Sequence, residues 1–120
     1  MMASPYQYTG IAYIRLNGKE IPTKDGAQLT PGGVTRDPVI GARVYGWQQT
    51  PKEARLSCVI PQGPGVSLFV IKNMVDATIE FECDTGERFM LANAWCDGNV
   101  SLTSKGEISA EFIGIECKEI

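Results

Sequence analysis

The stretch "TIEFECD", residues 78–84, alternates strictly. Ile79, Phe81 and Cys83 fall on one side, and Thr78, Glu80, Glu82 and Asp84 on the other. A period of two marks a β-strand buried on one face only. "EISAEFIG", 107–114, repeats the pattern, with Ile108, Ala110 and Phe112 opposed to Glu107, Ser109 and Glu111. Two such stretches commit the chain to an antiparallel sheet with an apolar inner face and an acidic outer one. "ERFMLANAWC", 87–96, supplies a partner strand, and Asp97-Gly98-Asn99 makes the next turn. Beyond Gly114 the phase slips, because Ile113, Ile115 and Cys117 now alternate, and a bulge or bend is predicted there.

The first half is less regular. "GIAYIRL", 10–16, is β-rich, and Asn17-Gly18 follows at once. Asn-Gly tolerates positive φ at both central positions of a type I′ turn, so a hairpin is expected, its return strand limited by Pro22. "RLSCVI", 55–60, alternates as a strand and stops at "PQGPG". "VSLFVIKNMVD", 66–76, fits a short helix with Ser67 as N-cap and Leu68, Ile71, Met74 and Val75 on one face. A buried strand through "SLFVI" is the alternative. Residues 23–54 show no clear period and are dense in glycine and proline, so a long loop is expected. Val39, Ile40, Val44, Tyr45 and Trp47 make that loop too apolar to stay in water, so it is expected to dock on its own domain or on a neighbour. The reading is a mainly β chain: one domain over 1–120, an antiparallel sandwich or barrel-like subunit with one short flanking helix at about 67–76.

Composition removes whole classes of function. The 120 residues contain no histidine, which excludes Ser-His-Asp and Cys-His nucleophiles and the commonest zinc sites. Cys58, Cys83, Cys96 and Cys117 lack the CxxC spacing of redox and zinc motifs and are expected to be reduced. No apolar run approaches the ~20 residues that span a bilayer, and the N-terminus lacks the basic and apolar regions of a signal peptide. No cofactor and no metal are expected. Residues 1–75 carry a charge of +4 and residues 76–120 a charge of −7. A nucleic-acid reader should present a basic face, yet the regular part of this chain is acidic.

Asp84-Thr85-Gly86 spells the catalytic triplet of aspartic proteases. That chemistry needs two carboxylates sharing a proton in an apolar, water-poor site. Here Asp84 continues a polar row with Glu80 and Glu82, between two alternating strands, where hairpin geometry asks for a short polar turn ending in glycine. The triplet is read as a turn. Glu80 and Glu82 are read as a solvated row rather than an acid–base pair. Gly63-Pro64-Gly65 and Gly32-Gly33 lack the lysine and strand-to-helix setting of a phosphate loop, and Asn99-Val100-Ser101 matches a glycosylation sequon without other signs of secretion. Nothing in the chain assembles an enzyme.

In order, the chain runs through "TGIAYIRLNG", a Gly-rich segment with "GWQQTP", "ARLSCVI", "SLFVIKNMVD", "ATIEFECDTGERFMLANAW" and "SKGEISAEFIG". This succession resembles the tail tube proteins of contractile-tailed bacteriophages, the Mu-like type, over most of the chain. The resemblance implies a structural virion protein made in the bacterial cytoplasm. Six subunits would close into a ring, and rings would stack into the inner tube of a phage tail or R-type bacteriocin. The implied partners are further copies of the chain, the tail sheath, tape measure, baseplate and tail terminator proteins, and DNA in transit without specific binding. A bore that passes DNA should repel phosphate, so Glu80, Glu82, Glu107 and Glu111 are expected to line it, with a basic sheath surface as the competing neighbour for those glutamates. The loop residues Val39, Ile40, Val44, Tyr45 and Trp47 are expected to contact other subunits or rings, and Asn17, Gly18, Asp84, Thr85 and Gly86 to be turns. A small monomeric β-sandwich binding module has the same strand pattern and remains the alternative.

Overall fold

Each alternating stretch forms a strand in the computed structural model, which describes residues 6–8, 10–24 and 26–120. In chain order the elements are β1 (Ala12–Leu16), β2 (Lys19–Ile21), β3 (Gln28–Thr30), β4 (Gly33–Ile40), β5 (Val44–Lys52), β6 (Ala54–Pro61), α1 (Leu68–Lys72), β7 (Ala77–Cys83), β8 (Arg88–Cys96), β9 (Ser101–Leu102), β10 (Glu107–Gly114) and β11 (Glu116–Glu119). The main sheet runs β2-β1-β7-β8-β10-β6-β3, with β11 on β8 and β9 on β10. Every pairing is antiparallel. Asn17 and Gly18, at φ 52° and 83°, form the two-residue turn between β1 and β2, whose register pairs Leu16 with Lys19.

The sheet folds over on itself at one line. In β8 the buried residue is Leu91 before Asn93, but Ala94 and Cys96 after it. Asn93 has φ 52° and is the extra residue of a bulge against β7, where the register slips between Ala77 and Ile79. The facing strand breaks at the same level, between β10 and β11. Gly114 ends β10, and a Cβ there would sit 2.6 Å from Cγ of buried Leu91, so only glycine fits. A bulge re-aims side chains and adds twist. Here it turns the two halves of the sheet toward each other. Ile14, Leu16 and Ile79 from one half and Leu56, Ile60, Ile108 and Phe112 from the other share one core.

The helix is shorter than its apolar pattern. Ser67 caps it by accepting from the Val70 N–H, Ile71 is buried, and Leu68 and Met74 are half-buried against the core. The chain leaves the helix at Asn73, and Val75 is exposed rather than on the packed face.

All four cysteines are free thiols, three of them buried. Burial pushes Cys58 up from its ordinary value near 9 to about 12, with nearby Cys96 adding to the effect. The folded chain therefore holds a proton that the unfolded chain releases near pH 9. The stability this proton supplies is full below about pH 9 and is lost as pH rises to about 12. Urea melts at pH 8, 9, 10 and 11 should show a midpoint falling above pH 9, and Cys58→Ala should flatten that fall.

Candidate assembly surfaces

The expected loop is a ribbon. Residues 33–52 form β4 and β5, a two-stranded sheet of their own, and β3 within the same segment pairs with β6 of the body. The segment is thus ordered backbone rather than loop, and its strands β4 and β5 carry no sequence signal of burial because none of their apolar residues is buried. All residues of β4 and β5 are exposed. The radius of gyration, 17.1 Å, exceeds the ~14 Å of a compact chain this long, and the longest dimension is 60 Å. The ribbon's base is fixed by Gly32, at φ 69°, where a Cβ would lie 2.4 Å from the Glu53 carbonyl oxygen.

The register gives the ribbon two unlike faces. Val34 faces Pro51, Arg36 faces Gln49, Pro38 faces Trp47 and Ile40 faces Val44. On the other side Thr35 faces Thr50 and Asp37 faces Gln48, and Thr50 donates to Asp37 at 2.9 Å. One face is apolar apart from Arg36 and Gln49, and the Arg36 guanidinium lies 5.3 Å over the Trp47 ring. At the tip Arg43 lies 5.5 Å over Tyr45. Among the described residues neither arginine makes an ion pair. An isolated two-stranded ribbon is marginal in water and needs a further layer on its apolar face.

The four expected carboxylates do not form one acidic surface. Glu80 and Glu82 lie on the outer side of β7. Arg15 of β1 bonds Glu82 and sits 3.7 Å from Glu80, while Arg88 of β8 reaches Glu80 at 3.0 Å. The Glu82 bond raises the Arg15 pKa. Glu107 and Glu111 lie on the outer side of β10, with Lys24 at 2.9 Å from the first and Arg55 at 2.5 Å from the second. Because the two sheet halves enclose the core between them, these outer sides face away from each other. Each row is a ladder of alternating sign, which cuts the repulsion expected from the carboxylates alone.

Asp84, Thr85 and Gly86 form the β7–β8 turn. The Gly86 N–H donates to the Cys83 carbonyl at 3.0 Å, and the Cys83 N–H to the Glu87 carbonyl at 2.8 Å. Gly86 has φ 107°. This is a three-residue hairpin loop closed by a glycine bulge. The Asp84 side chain accepts from the Gly10 N–H at 3.3 Å, and the Thr85 hydroxyl bonds Glu87, holding its carboxyl below the usual range. Asp84 is therefore committed to a loop. Gly86→Val should lower stability by about 1–2 kcal/mol through the positive φ. Asp84→Asn keeps an acceptor for Gly10 and should be almost silent. Thermal melts compare the two.

The family model for the phage tail tube protein matches residues 6–119. The chain belongs to that family. As a tail tube protein it is a structural component of the phage tail. It is 43% identical to the tail tube protein of Escherichia phage Mu over 114 residues, which cover 95% of this chain and 96% of that protein. It is 40% identical to the tail tube protein of the Mu-like prophage FluMu of Haemophilus influenzae, again over 114 residues, 95% of this chain and 97% of the relative. A solved structure of the cap that terminates the tube of an anti-feeding prophage shares the fold. Its TM-score is 0.65 at 10% identity, covering 98% of this chain and 95% of that one. Among the described residues no helix is long and apolar enough to cross a membrane.

Proposed function

We propose that this tail tube protein builds the inner tube of a contractile tail by closing six copies into a ring and stacking the rings, and that DNA leaves through the bore. The tube is inert chemically; its work is mechanical. Sheath, tape measure, baseplate and terminator proteins meet its outside, its bore and its ends. The observation that carries the reading is the β4–β5 ribbon. A 9-residue strand reaches ~30 Å, and this one is paired only to its hairpin mate, with its apolar face exposed. A folded subunit has no use for such an arm unless another copy covers it. A heterologous contact that closes gives a ring, and one that does not close gives a filament. Native mass spectrometry of the purified chain tests the ring. Multiples of six chains support it, and a monomer at high concentration supports a binding module instead.

For the bore we favour the Glu80–Glu82 row. Its network holds Glu20, Glu80 and Glu82 against Arg15 and Arg88, an excess of one negative charge. The Glu107–Glu111 network holds Glu53, Glu107 and Glu111 against Lys24, Lys52 and Arg55 and is balanced. It then looks outward, toward the sheath. Glu80→Gln with Glu82→Gln leaves only Glu20 against Arg15 and Arg88, turning the excess of one negative charge into an excess of one positive charge that attracts phosphate within about a Debye length, ~8 Å. Virions carrying that pair should eject DNA more slowly at low salt, with sheath attachment intact. Slower ejection from Glu107→Gln with Glu111→Gln instead would reverse the assignment.

A further inference from the structure

We infer that the apolar face of the ribbon in one copy seats on the α1 end of the next copy, with Ile40 and Trp47 against Phe69, Val70 and Val75. The inference rests on the tube reading and names the surface that reading leaves open. Three observations carry it. First, the α1 end is an unpartnered apolar patch. Phe69, Val70 and Val75 are each about two-thirds exposed, beside a cleft of about 160 Å³ whose walls include Leu16, Ile60, Val66 and Ile71. Five residues of helix cannot cover these side chains. Second, the ribbon leads into one end of β6, and the cleft that Val70 lines includes Ile60, near the other end of that strand. β6 starts at Ala54, directly after the ribbon, and ends at Pro61, from which the chain passes into α1. Eight residues of strand separate the two ends by ~26 Å. Copies that stack in one orientation must join unlike ends, and these are the two apolar ends that β6 connects. Third, the charges fit a second copy. Residues 33–52 carry +2 and the remainder of the chain −5, and Arg36 and Arg43 are held over aromatic rings without a carboxylate of their own. A ribbon of this sign is drawn toward the acidic body of another copy.

The other side of the ribbon, Thr35, Asp37, Gln48 and Thr50 with Val39 near the tip, then stays wet, so Val39, expected from the sequence to make contact, lies outside this seat. The test is a cysteine pair in the full chain beside the contact, Gln49→Cys on the Trp47 side of the ribbon with Asn73→Cys next to Phe69, which leaves both anchors in place, assembled and then oxidised without reductant. Covalent ladders of two, three and more chains on a denaturing gel are expected, with neither single variant giving them. Phe69→Ser, at a site too exposed to hold the fold, should keep the wild-type melt and lower the assembled fraction at least tenfold. Gln48→Ser, on the wet side, should leave it unchanged. If the wild type forms tubes but the pair does not cross-link and Phe69→Ser assembles normally, the α1 end is not the seat and the tube reading stands. If the wild type stays monomeric, both fall.

Discussion

A chain in which residues 34–51 are replaced by a short glycine turn should fold as the wild type does and lose tube formation entirely. Every residue of β4 and β5 is exposed, so the deletion removes no core contact. The boundaries matter. Cutting back to residue 26 would also remove β3, whose Leu29 pairs with Leu56 at the sheet edge, and would confuse a folding defect with an assembly defect. Keeping Gly32 preserves the close approach at Glu53 and Ala54. A melt within 2–3 °C of wild type, with sedimentation as a single small species at every concentration, is the expected result. Long tubes from the deleted chain would remove the ribbon from the account.

Phe112→Ala should have the largest effect on stability, about 3–5 kcal/mol, by loss of transfer energy and by the cavity left behind. Phe112 is fully buried at the middle of β10, level with Leu56 on β6 and Cys96 on β8. It is the largest side chain with no exposure in the core, and strands on both sides hold the backbone, so the site cannot collapse freely. Against a typical total of 5–15 kcal/mol, this brings the subunit close to unfolding at growth temperature. Denaturant titration at constant slope measures it. A loss below 1 kcal/mol would mean that the two sheet halves do not clasp around this residue.

The body of the fold was legible because burial enforces alternation. Ile79, Phe81 and Cys83 face the core, and a slip by one residue would put them in water. Even the bend at Gly114 could be read, since the phase of the apolar residues changes there. Its partner bulge at Asn93 was missed, although Leu91, Ala94 and Cys96 carry the same break in phase. The ribbon was not legible for a related reason. Its alternation exists, in Val34, Arg36, Pro38 and Ile40 opposite Pro51, Gln49 and Trp47. An arginine and two prolines blur it, and prolines are tolerated because both ribbon edges are free. The shared acidic face failed for a different reason. Sequence gives the sign of Glu82 but not that Arg15, 67 residues away, folds against it, and it cannot tell that β7 and β10 show opposite outer sides.

Electron microscopy of the purified, reduced wild-type chain tests the central claim most directly, imaged in negative stain as concentration rises at physiological salt. Hollow tubes of uniform width, with stacked rings of six-fold symmetry in the averages, are the predicted result. Featureless particles of single-chain size at every concentration would contradict it.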